Sequence, residues 1–280
     1  MLYSIDGIAI SAAARKLLDK AVECDYPLLT KAIILAIKDY AGMKRKNGQE
    51  EVDHSIIMTW MVWDFGEIKE QRLITVMLHD LVEQNKETIN SIREMFGEDV
   101  ARGVNRVSRR PEEKYELNDD EIDEPWEHIC GYVRKMKTNI MFRNFLPDNR
   151  LMLDNMLPAE YIKREGAYYK RAGESAFCVL LKNVDKIAIF GNMLYTLKAR
   201  KQKKQIIEYE RFLAPLSKQV RKNNSEYTDA LFLCREWIEG YIDNVVHQRW
   251  PMIDRIFRGI RKIKHFFRKI SGRAISVMYA

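Results

Sequence analysis

Apolar residues recur along this chain with the spacing of amphipathic helices. Ile33, Ile34, Ile37, Tyr40 and Ala41 share one such face after Thr30, whose hydroxyl is a candidate helix cap. Ile89, Ile92 and Phe96 share another after Thr88. Gly97 stops that second pattern, and Val100, Val104 and Val107 restart it at i, i+4 and i+7. Alternation with a period of two is not sustained anywhere, and Gly and Pro are scarce. The expected fold is all-α.

Between Arg109 and His128 the pattern gives way to nine acidic side chains against three basic ones, which predicts a loop or weak helix, a solvated insertion. Helical spacing resumes over 161–216, and KNNSEY at 222–227 reads as a linker. Near the C-terminus Ile253, Ile256, Phe257, Ile260, Ile263, Phe267 and Ile270 form one apolar stripe on a helix that is otherwise Lys and Arg.

With 280 residues and 46% apolar content, the chain can bury one substantial core, or a core with a smaller appended unit. It has no apolar run of membrane-spanning length, and its first residues lack the pattern of a secretion signal, so a cytoplasmic location is expected. Cys24, Cys130, Cys178 and Cys234 are far apart and form no CxxC pair, as expected of buried small hydrophobes in a reducing compartment. Of the 47 basic and 40 acidic side chains, eight and one lie in 251–280, leaving 39 of each elsewhere. The net charge of +7 is therefore a property of the tail. A basic amphipathic helix of this kind suits an anionic membrane, nucleic acid, an acidic protein or its own domain.

Candidate chemistry lies in three separated stretches: Arg45 and Lys46 followed by His54, then His79-Asp80-Leu81-Val82-Glu83, then Val184-Asp185-Lys186. Imidazole and carboxylate together suit a divalent transition metal such as manganese. Adjacent side chains on a helix point about 100° apart, so His79 and Asp80 can share an ion only near the helix surface, with other helices completing the shell. Glu83 lies one turn after His79 on the same face, where a carboxylate can reach a water without binding the ion, as a hydrolytic general base must. An ionised Asp185 within VLLKNVDKIAIF needs a partner.

RKNGQEEVDHS, MLHDLVEQN and FGEDVARGVNRVSR stand in the order and at the separations of RKSGEPYIxHP, LLHDVVEDT and FGxxVAxLVxGVTK in the hydrolase (HD) domain of the RelA/SpoT-homologue family. YYKRAGESAFCVLLKNVDKI and KQKKQIIEYERFLAPLSK resemble later parts of that domain, so the likeness covers roughly 30–108 and 161–220. It implies an HD-domain helical bundle over 1–220, with the acidic insertion at about 109–160, and a helical extension over 221–280. It also implies metal ligands His54, His79, Asp80 and Asp185 for one Mn2+ ion, and nucleotide contacts from Arg45 and Lys46. Glu83 matches the first member of a catalytic Glu-Asp pair. The implied reaction is removal of the 3′-pyrophosphate from ppGpp, an alarmone of the stringent response, with no synthetase domain in the chain.

The chain departs from the family's pattern in its substrate shell. Gln84 replaces the second catalytic carboxylate, and an amide cannot take a proton. Asn85 replaces a Thr, Tyr40 a His and Met43 a Gln, while strict register puts Ile189 where the family has a substrate-binding Asn; Asn192, three residues on, lies on about the same face. These changes leave two further readings open: an HD phosphohydrolase for another nucleotide (an adenine alarmone, a deoxynucleoside triphosphate or NADPH), or a catalytically weak nucleotide- or partner-binding protein.

Overall fold

A computed structural model describes residues 4–45, 48–138, 149–193, 199–223 and 226–247, and these are almost entirely helical. The basic stripe at 252–270 and Lys46 lie outside the described residues. The all-α expectation holds. Among the described residues its departures are a small hairpin, β1 (Ser4–Ile5) against β2 (Ile8–Ala9), turned by Asp6 and Gly7 at φ 48° and 81°, and an isolated bridge between Lys44 and Glu50. An Asp-Gly pair between apolar residues is a strong hairpin signal, because both central residues of such a turn need positive φ.

The described residues fall into two compact units, divided between Arg109 and Arg110. In the first, α1 (Ala12–Glu23), α2 (Pro27–Asp39), α3 (Val52–Asp64), α4 (Glu70–Glu83), α5 (Ile89–Phe96) and α6 (Glu98–Val107) follow one another. The middle helix is α4, which packs on α2, α3 and α6. Its Leu73, Ile74, Val76, Met77, Leu78 and Leu81 are all fully buried, at roughly 1.5–3 kcal/mol each. Two helix starts differ in kind. Thr88 caps α5 as its sequence predicts, accepting from Ser91 N at 3.0 Å while the Ser91 hydroxyl accepts from Thr88 N at 2.9 Å. Thr30 does not cap α2, which begins three residues earlier at Pro27. The Leu29 N–H is instead taken by the Glu70 carboxylate of α4 at 2.9 Å, a bond across 41 residues. Gly97, at φ 90°, separates α5 from α6.

The second unit opens with a short 3-10 turn at Pro111–Glu113, then α7 (Asp119–Thr138), α8 (Asn149–Met156), α9 (Ala159–Ala172), α10 (Ala176–Met193) and α11 (Ala199–Glu208). A π-helical stretch at Tyr209–Leu213 leads into α12 (Ala214–Asn223), which takes in Lys222 and Asn223 of the expected linker, and α13 (Thr228–Val246) comes next among the described residues. The acidic segment is thus largely helix. Asn118 caps α7 by accepting from Glu121 N at 2.9 Å, and Asp119, Asp120 and Glu121 sit at the helix's positive end, so their charge supports the element. Aromatic stacking fixes α10 on α13: Phe190 lies 4.5 Å from Tyr241, and Tyr241 5.9 Å from Trp237, between ring centroids.

Candidate metal centre

His79 and Asp80 lie in the last turns of α4, and His54 lies in the first turn of α3. Both imidazoles are almost fully buried, and their ring centroids are 5.8 Å apart. Asp80 reaches both rings: Oδ1 stands 3.0 Å from His79 Nε2, and Oδ2 stands 3.8 Å from His54 Nε2. His79 Nδ1 lies 2.8 Å from the Val76 carbonyl oxygen. A carbonyl only accepts, so Nδ1 carries a hydrogen and Nε2 is the ring atom turned to the carboxylate. A backbone carbonyl that fixes the tautomer of a buried imidazole is the usual outer support of a metal-binding histidine. The donor set, two borderline nitrogens and a hard oxygen, suits a divalent transition ion.

The support extends along α4. The Ser108 hydroxyl, at the end of α6, donates to the His79 carbonyl at 2.8 Å. Gly103 of α6 lies so close to Thr75, one turn before His79, that an added Cβ would stand 2.8 Å from Thr75 Oγ1. Glu83 closes α4, and its Oε2 accepts from Arg109 N at 3.1 Å. Gln84 caps the helix through its own N–H, bonded to the Asp80 carbonyl at 2.9 Å, and Asn85 at φ 56° turns the chain away.

Arg45 stands on the short loop between α2 and α3. The loop is closed by Arg45 N to Gln49 O at 2.8 Å, Gly48 N to Arg45 O at 2.9 Å and Glu51 N to Met43 O at 2.9 Å. Arg45 Nε lies 3.3 Å from Glu51 Oε1. Tyr40, at the end of α2, is 2% exposed. Burial, reinforced by the Asp80 and Glu51 carboxylates against the pull of Arg45, pushes its phenol well up, so it is a protonated donor.

In the second unit Asp185 is buried on α10, and Lys182 Nζ supplies its partner at 2.9 Å. Lys186, the next residue, lies 3.1 Å from Glu208 Oε2, and Glu208 Oε1 accepts from the Tyr169 hydroxyl. Ile189 is partly buried on the same helix; the side chain of Asn192 lies outside what is described. Sequence reasoning missed the Val76 and Ser108 supports, since neither residue type signals such a role.

Residues 32–137 match the family model described as HD domain, so an HD domain is present in this chain. HD domains bind divalent metal ions and are in general metal-dependent hydrolases. A GTP pyrophosphokinase of Myxococcus xanthus is 30% identical over 87 residues, which is 30% of this chain and 11% of that protein. The matched part is thus a small fraction of that relative's length. No solved structure matches. Among the described residues no helix is long and apolar enough to cross a membrane.

Proposed function

We propose that this chain is a cytoplasmic, metal-dependent nucleotide phosphohydrolase, and that its substrate is guanosine 3′,5′-bis(diphosphate). His54, His79 and Asp80 would hold one Mn2+ ion, with Asp185 as the fourth protein ligand, and residues 1–220 would make up the hydrolase domain. The observation that carries the reading is that Asp80 reaches both buried imidazoles, Oδ1 at 3.0 Å from His79 Nε2 and Oδ2 at 3.8 Å from His54 Nε2. A bound divalent ion would supply Lewis acidity, making water a stronger acid and a phosphoryl oxygen a better electron sink.

The protein's own groups do the rest. Glu83 takes the proton of the attacking water, and its bond to Arg109 N keeps the carboxylate at the end of α4. Water adds to the phosphorus at the 3′ position, the P–O bond to the ribose breaks, and the 3′ oxygen leaves as the alcohol with one proton, releasing pyrophosphate. Arg45, Lys46 and Asn192 bind the nucleotide, Arg45 through a fork suited to paired oxygens. Gln84 can orient water by hydrogen bonding but cannot accept its proton. The basic C-terminal helix would provide the contact to an anionic surface or to its own domain.

Gln84 and Ile189 favour a second reading, hydrolysis of a different phosphorylated nucleotide by the same centre. Incubating the Mn2+-loaded protein with ppGpp, an adenine alarmone, deoxynucleoside triphosphates and NADPH decides between them. Pyrophosphate from ppGpp alone is the expected result; turnover of another member and not of ppGpp moves the assignment to that nucleotide. Binding without turnover of any member contradicts the hydrolase reading.

A further inference from the structure

Two buried hydrogen-bond donors beside the candidate metal centre have no acceptor among the described residues: the hydroxyl of Tyr40 and Nη1 of Arg45. Both groups carry a hydrogen to give. The phenol of Tyr40 is held protonated in its buried setting, and a guanidinium has no lone pair to offer. A buried donor left without an acceptor costs stability, so proteins retain one mainly where a ligand completes it. The charged groups that act on Tyr40 are Asp80, Glu51, Arg45 and Asp39, which places the phenol in the surroundings of both the metal-centre carboxylate and the guanidinium.

We infer that Tyr40 is a substrate-binding residue of this site, its hydroxyl donating together with Arg45 Nη1 to the oxygens of one phosphoryl group. The inference deepens the proposed function and rests on its metal centre. The missing partner must be an acceptor with several lone pairs, and the guanidinium selects an anionic one. Three carboxylates against one guanidinium leave the neighbourhood negative. A divalent cation at Asp80 cancels that charge, so a phosphate binds there only after the cation. Order of binding, cation first and phosphate second, is a consequence of the same charges.

Calorimetric titration of the full chain tests this, with Mn2+ and then inorganic phosphate as probes and Tyr40→Phe as the variant. Wild type is expected to bind phosphate only in the presence of Mn2+. In Tyr40→Phe, Mn2+ affinity and melting temperature are retained while phosphate affinity falls roughly tenfold or more. Arg45→Lys, which keeps the charge but loses the fork, should show the same split. Unchanged phosphate affinity in a Tyr40→Phe protein that still binds Mn2+ overturns the inference alone. Failure of wild type to bind Mn2+ overturns the metal centre and the inference with it.

Discussion

Asp80 Oδ1 stands 3.0 Å from His79 Nε2, while His79 Nδ1 lies 2.8 Å from the Val76 carbonyl oxygen, so Nε2 is the ring atom turned to the carboxylate. An amide in place of the carboxylate keeps the shape of the side chain and removes the negative charge that a divalent ion needs. Metal-free Asp80→Asn should therefore still fold with a cooperative thermal transition. Added Mn2+ should raise the melting temperature of wild type and not of the variant. A variant whose melting temperature Mn2+ raises as much as that of wild type would contradict a role for the carboxylate in holding the ion.

The contact of Gly103 with Thr75 sets how closely α6 approaches α4. Gly103→Ala puts a methyl group 2.8 Å from Thr75 Oγ1 and 2.9 Å from its Cγ2, so one helix must shift, at a cost of about 1–3 kcal/mol. Because Thr75 is one turn from His79, Mn2+ affinity should weaken as well. Thr75→Ala in the same chain should recover most of both losses; thermal melts and Mn2+ titration of the single and double variants measure this.

Asp64, the last residue of α3, is raised by burial to a pKa of about 6. A carboxyl whose folded pKa lies above its ordinary 3.8 favours the folded state at low pH and opposes it progressively as pH rises through that window. Asp64→Asn should remove the penalty, raising stability at pH 7.5 by about 1–2 kcal/mol after solvent screening, with the gain vanishing near pH 4. Denaturant melts at the two pH values check the sign; an equal gain at both would point to a cause other than ionisation.

Gln84 occupies the cap of α4 directly after Glu83. If ppGpp is the substrate, Gln84→Asp supplies a second proton acceptor and should raise kcat roughly tenfold or more with little change in Mn2+ affinity. An unaltered or lower rate on ppGpp would support hydrolysis of another nucleotide, for which the amide is the fitting group.

Periodicity made α5 and α6 legible, since Thr88, Gly97 and the valines carry their signals within a few residues. The start of α2 was not legible in the same way, because its N–H groups are satisfied by Glu70 from a distant helix, and local reasoning favoured Thr30 instead. In the acidic segment charge is the dominant local signal, while the cap from Asn118 and the positive end of α7 turn those acids into helix formers. At the candidate centre the residue types stood out in the sequence, but the tautomer of His79 and the hydrogen bonds that set it depend on backbone carbonyls, which no side-chain pattern reveals. Tyr40 stood out as a substitution, and only its burial gives it a role.

The proposed centre has His54, His79 and Asp80 sharing one divalent ion. Calorimetric titration of Mn2+ into the metal-free chain, beside Asp80→Ala, tests it most directly. Saturable binding of about one ion per chain, weakened roughly 100-fold or more in the variant, is the predicted result. Equal binding by the two proteins, or none by wild type, would contradict it.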